Sequence, residues 1–231
     1  MAKQQAKSGD NVTRWIVIAM VSLVVVTGVV FSMMNQNNKE ASSLAALDDY
    51  KSKGTIASTI DVENGSAITF NPGLVKIVDV WEDPQCPACK TFEEASGEYI
   101  DSLVREKKAM VRFHVLSFLG DESVRAANAS FCAADEGKYL DFHKALYRVQ
   151  SSLENSGFWS NETLIAIGNK VGITSEKFTT CVTDGQKVDL VQANYESMSK
   201  YGVQGTPTVF IDGIKVTDPS PDGLRAAIEG N

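Results

Sequence analysis

Residues 81–94 read WEDPQCPACKTFEE, and two cysteines in that stretch, Cys86 and Cys89, bracket Pro87 and Ala88. A pair at this spacing can hold a metal, staple a fold or exchange electrons. The run before it, KIVDVW (76–81), carries Ile77, Val78, Val80 and Trp81, which ask for burial on both faces of a sheet. The run after it opens as a helix. Pro87 suits a first helical turn, where its missing N–H costs nothing. Phe92, Ala95, Tyr99, Leu103 and Val104 then supply an apolar stripe. The cysteines therefore sit where a buried strand hands over to a helix.

Outward from that junction the pattern alternates. TIASTID (55–61) and SAITF (66–70) are short strands split by the turn ENG, and AMVRFHVLSF (109–118) is the next strand. From Asp121 to about Tyr201 the pattern is helical, with Asp121 as a first cap, Gly137 as an interruption, and Thr174 or Ser175 as a later cap. PTVFI and IKVT, joined by Asp212-Gly213, form a hairpin, and PDGLRAAIEG closes the chain as an amphipathic helix. The expected fold is α/β: a mixed sheet with helices on its faces and a helical insertion over about 121–201.

The N-terminal part has a different character. Residues 15–34, WIVIAMVSLVVVTGVVFSMM, hold no charge over 20 positions, enough to cross a bilayer as a helix. Lys3, Lys7 and Arg14 precede it, so residues 1–14 are expected in the cytoplasm and the bulk of the chain outside, anchored in the cell membrane by a single pass. A cleaved leader would need a small-x-small site close behind; the nearest, around Ser43 to Ala45, falls about ten residues too late. Residues 35–54 read as a polar tether with a short helical piece at 42–50, and residues 55–231 as the exported domain. Of the net charge of −7, residues 1–40 carry +2, leaving −9 beyond them. A domain that acidic is a poor partner for nucleic acid.

All four cysteines, Cys86, Cys89, Cys132 and Cys181, lie beyond the anchor, where an oxidising compartment is expected and disulfides persist. At a helix N-terminus Cys86 faces unpaired backbone N–H groups and the positive end of the helix dipole, which favour its thiolate. Cys89, one turn in, is more enclosed and placed to attack a mixed disulfide on Cys86. A metal site needs two more ligands at suitable spacing. Cys132, Cys181, His114 and His143 are isolated, so neither metal nor cofactor is expected, and both histidines read as structural.

The combination resembles the DsbA-like branch of the thioredoxin superfamily, in its membrane-anchored bacterial form. It rests on a strand running into CPAC, FEE just after it, a long helical insertion containing CAADEGKYLDFHKALY, and Gly205-Thr206-Pro207-Thr208 before the final hairpin, and it covers about residues 55–230. The resemblance implies a thioredoxin-like fold with an inserted helical subdomain. It also implies Cys86 as nucleophile, Cys89 as resolving cysteine, Pro207 as a cis-proline against them, and Thr206 as backbone offered to the substrate chain. It implies exported cysteine-containing substrates and a membrane quinone-linked partner that reoxidises the pair. Two positions depart from the pattern: Ala88 stands where strong oxidants carry His, and Val80 stands where a buried acid is often found. Asp79, one residue earlier, should face the other way by strand alternation unless DPQ holds a bulge. Glu82 and Asp83 are expected near Cys86, opposing its ionisation.

The expected activity is oxidation of cysteines in exported proteins. A reductase or isomerase of the same fold, and a non-catalytic metal-binding or chaperone-like domain, are the competing readings. Cys132 and Cys181, both in apolar-flanked helical segments, are expected to form a structural disulfide.

Overall fold

The computed structural model describes residues 9–230, which fall into two units, one up to Ser43 and one from Leu44. Lys3 and Lys7, on which the orientation argument rests, lie outside the described residues. The first unit is a single helix, the body of α1 (Gly9–Ala45). Its stretch Arg14–Ser32 has a mean hydropathy of 2.5 and none of it is buried in protein. Nineteen residues rise roughly 30 Å, about the thickness of a bilayer's hydrocarbon core. Thr27, in mid-span, donates its hydroxyl to Leu23 O at 2.8 Å, so even this polar group is satisfied within the helix.

The second unit is built on a six-stranded sheet in the order β1-β2-β4-β3-β5-β6. The strands are β1 (Thr59–Asp61), β2 (Ala67–Phe70), β3 (Ile77–Glu82), β4 (Met110–Val115), β5 (Thr208–Ile211) and β6 (Ile214–Lys215). Only β3 and β4 run parallel, joined by the crossover helix α2 (Pro87–Arg105); the other pairs are antiparallel. β3 lies between β4 and β5, and Val78 to Glu82 are all buried, which accounts for the unbroken apolar character of KIVDVW. One core joins Ile68, Phe70, Val80, Phe92, Val111 and Phe113 with their neighbours. The Asp212–Gly213 turn has φ of 50° and 79°, the left-handed pair that a two-residue hairpin requires.

The insertion is helical, as the periodicity asks. It comprises α3 (Asp121–Asp135), α4 (Tyr139–Val149), α5 (Asn161–Lys170), α6 (Glu176–Thr183) and α7 (Val188–Lys200), and α8 (Pro221–Glu229) follows the hairpin. α3 to α6 enclose a second core around Phe142, Trp159, Leu164 and Phe178. Within it Cys132 and Cys181 are joined, with Sγ–Sγ 2.04 Å and Cα–Cα 5.9 Å.

Four expectations are corrected. The tether does not begin at residue 35: α1 continues to Ala45, and Leu47 is fully buried in the second core. Tyr50 and Ser52 then donate their hydroxyls, and Lys53 its backbone N–H, to the buried Asp141 carboxylate. Apolar and polar contacts both bind this segment to the folded unit, so its free length is far shorter than 35–54. The first strand is only three residues, because only Thr59, Ile60 and Asp61 pair with a neighbouring strand. The ENG turn is a single 3₁₀ turn capped by Asp61; at the Gly65 that ends it, φ is 71° and a Cβ would meet Ser197 Oγ at 2.4 Å. Asp121 is the first residue of α3 rather than its cap; Gly120 takes that place.

Candidate active site

Cys86 is the N-cap of α2 with Pro87 as its first helical residue, so the helix begins on the nucleophile candidate itself. The preceding loop is held from several sides. Cys86 N–H donates to Asp83 O at 2.9 Å, and the Gln150 side-chain amide donates to Pro84 O at 2.8 Å and Cys86 O at 3.0 Å. The Asp83 carboxylate, fully buried, accepts from Gln85 N–H, Leu119 N–H and the Ser123 hydroxyl. Tyr147 donates its hydroxyl to Asp83 O at 3.2 Å and packs against both cysteines. The cysteine loop is thus fixed by α3 and α4 of the insertion, which long-range packing provides and local sequence does not announce.

Both sulfurs are free thiols in this structure. Cys86 retains 8% of its surface and Cys89 none, so only a small window on Cys86 reaches solvent. The Thr206–Pro207 peptide is cis. The Cys86 thiol donates to Thr206 O at 3.5 Å, which brings together residues 120 positions apart.

The two thiols are held far apart in acidity. A hydrogen bond from Cys89 is the largest influence lowering Cys86 to about 5, against opposition from burial, with help from Thr206 and the N–H groups of Cys89 and Ala88. Burial pushes Cys89 far up, reinforced by the bond to Cys86 and the charge of Glu82. Asp83 is pushed up to about 6 by burial, against its hydrogen bonds.

Glu82 is the buried acid whose charge acts on both thiols. Strand alternation puts Glu82 on the side of Val78 and Val80, opposite Asp79. Asp79 is committed elsewhere: Arg112 grips it at 2.5 and 2.7 Å, and His114 bonds it at 3.0 Å while stacking on Trp81 at 3.7 Å. Glu82 is buried and meets His143 at 2.9 Å, and His143 in turn lies 3.6 Å from Glu93. Burial first, then the negative charge of Cys86, drives Glu82 well above its ordinary value. Burial and then Glu82 carry Glu93 up to about 8, while burial lowers His143. Glu82, Glu93 and His143 also stand close enough together to resemble a three-ligand metal set. Burial favours the neutral form of each of the three groups.

Of the residues named from the sequence, Cys86 lies beside Cys89 and Thr206, and Pro207 follows Thr206 through the cis peptide. Sequence reasoning missed Glu93 and the polar contacts of His143. One indication was available for Glu93: four residues after Cys89, it shares that thiol's helix face.

Residues 73–230 match the thioredoxin family description. The serine/threonine-protein kinase PknE of Mycobacterium tuberculosis is 28% identical over 166 residues, covering 65% of this chain and 29% of the kinase, so the chain spans under a third of that relative. A probable disulfide bond formation protein D of Bacillus anthracis is 25% identical over 229 residues, 93% of each chain. Among solved structures, DsbA of Mycobacterium tuberculosis superposes with a TM-score of 0.62 at 26% identity, covering 71% of this chain and 91% of that one.

Proposed function

The chain belongs to the thioredoxin family, and on that footing we propose that it is an extracytoplasmic thiol-disulfide oxidoreductase of the DsbA-like branch, working mainly as an oxidase. The observation that carries the reading is the contrast within one helical turn: a thiol held near pKa 5 with a window to solvent, beside a thiol held protonated and sealed.

The exchange runs through Cys86. A substrate thiolate attacks Sγ of Cys86 in the Cys86–Cys89 disulfide. That bond breaks, and Cys89 departs with the electron pair and takes a proton. A second substrate thiolate attacks the substrate sulfur of the mixed disulfide, and Cys86 leaves as its thiolate. The substrate has lost two electrons and the enzyme has gained them. Because the Cys86 thiolate is stabilised, so is the reduced enzyme, which makes its disulfide an oxidant. Thr206 lies beside Cys86, a position that supports the reading of its backbone as the strand edge a substrate chain pairs with.

Export and anchoring complete the proposal. The apolar stretch of α1 is long enough to hold the chain in the cell membrane. The basic residues before it favour a cytoplasmic N-terminus with residues 55–231 outside. The substrates would be exported proteins with unpaired cysteines, and a membrane quinone-linked partner would accept the electrons. Alkylation at mildly acidic pH after reduction tests the assignment. Cys86 should label first, and Cys89→Ser should accumulate mixed disulfides on Cys86. Preferential labelling of Cys89 refutes it.

A further inference from the structure

Six buried side-chain nitrogen or oxygen atoms among the described residues make no hydrogen bond, and three of them belong to Glu82, Glu93 and Tyr139. These residues stand around His143. Its Nε2 meets Glu82 at 2.9 Å, its Nδ1 faces Glu93 at 3.6 Å, and the Tyr139 ring lies 5.1 Å from its own. The Glu82 and Glu93 side chains retain only 4% and 8% of their surface. A buried carboxylate oxygen without a donor is costly, and such atoms gathered in one place ask for a ligand. Between two carboxylates and an imidazole, that ligand is a cation.

We propose that Glu82, Glu93 and His143 form a binding site for one divalent transition cation of the zinc class, between β3, α2 and α4. One ligand atom from each residue lies within 4.8 Å of the other two. Zinc holds oxygen and imidazole nitrogen at about 2.0–2.2 Å, so two of its ligands stand at most roughly 4.2 Å apart. Even the full 4.8 Å closes with a shift of about half an ångström, a small reach for a glutamate. Imidazole with carboxylates suits zinc, whereas calcium asks for more oxygens than this pocket offers.

Three further features fit such a site. The rings of Phe113, Tyr139 and Tyr147 stand 5.1, 5.1 and 5.0 Å from that of His143 and fix its plane. Burial lowers His143 and so favours the neutral imidazole, the form that ligates a metal; it raises both carboxyls, so loading displaces protons from them. A cleft of about 250 Å³ between α2 and α4 is lined by Glu93 and His143 themselves, which gives the ion an entry path. Spacing along the chain hides this site, because its ligands come from three elements. Glu82 ends β3, Glu93 lies on α2 and His143 on α4, so a bound ion would fasten the helical insertion to the strand and helix on either side of the CPAC turn. The site uses neither thiol and stands or falls apart from the exchange reading.

The test first removes the thiols as competing ligands. Full-length chain in detergent, without an affinity tag and carrying Cys86→Ser and Cys89→Ser, is titrated with cobalt(II) at about pH 8. One equivalent should bind, with the visible absorbance of a nitrogen–oxygen site and no sulfur–cobalt band in the near ultraviolet. Zinc should displace it and magnesium should not. In the same background His143→Ala and the nearly isosteric Glu93→Gln should each weaken binding by roughly 100-fold or more. Zinc should raise the thermal midpoint of the doubly substituted chain and leave that of its Glu93→Gln derivative unchanged. Failure to bind an equivalent of cobalt overturns the site. So does binding as tight in a folded Glu93→Gln chain as in its parent, whether or not His143→Ala folds.

Discussion

At Cys86 the predicted behaviour is a titration. The ultraviolet absorbance of its thiolate should appear with a midpoint near pH 5 and vanish in Cys86→Ser. A midpoint near 8.5, the ordinary thiol value, contradicts the site's electrostatics. The folded-state pKa lies below the unfolded one, so this thiolate stabilises the reduced fold. The contribution is complete above about pH 8.5 and is lost as pH falls through about 5. Reduced chain should therefore gain stability relative to oxidised chain as pH rises from 5 to 8; denaturant unfolding of both forms measures it, and a difference independent of pH counts against it. Ala88→His should stabilise the thiolate further and make the disulfide more oxidising. No change would mean that Cys89, Thr206 and the backbone N–H groups already dominate Cys86. At this scale the sequence was legible wherever chemistry is local. The CPAC spacing, Pro87 and the strand before them needed no structure to interpret. Glu93 and His143 were not legible in the same way, because α4 reaches the cysteine helix only through long-range packing.

Among the elements, the insertion and the end of α1 carry the stability predictions. The Cys132–Cys181 bridge, with a sequence separation of 49, ties α3 to α6 inside the second core. Replacing both cysteines by alanine should cost roughly 2–4 kcal/mol in denaturant unfolding. Leu47, fully buried in the same core, should cost about 2–5 kcal/mol as Leu47→Ala. A fragment starting at residue 55 loses that side chain and the bonds that Tyr50, Ser52 and Lys53 make to Asp141. It should unfold at clearly lower denaturant than one starting at 41; equal midpoints would mean the segment adds nothing. Helices α2 to α8 and the central strands were readable from periodicity. The docking of 44–54 was not, since two leucines and a tyrosine in a polar stretch look like a tether until Asp141 and the second core are in place. β1 was overread for a related reason: alternation in TIASTID is real, but only Thr59–Asp61 finds a partner strand.

The whole molecule combines a membrane-length helix with an acidic redox domain. The full chain should remain with membranes through alkaline extraction, while a fragment from residue 41 should be soluble; extraction of the full chain at high pH would argue against an anchor. What such an anchor is for depends on the direction of electron flow, and that direction is the central claim. Cys86 at about 5 falls between thioredoxin's nucleophile near pKa 7 and the strongest oxidant's near 3.5. Burial of Cys86 opposes its ionisation and holds the thiolate short of the lower extreme. The most direct measurement is the reduction potential of the Cys86–Cys89 pair, by equilibration with glutathione buffers. The account predicts a value between about −270 mV and about −120 mV, nearer the second; a value at or below roughly −250 mV, within reach of thioredoxin's, would contradict it and make the protein a reductase.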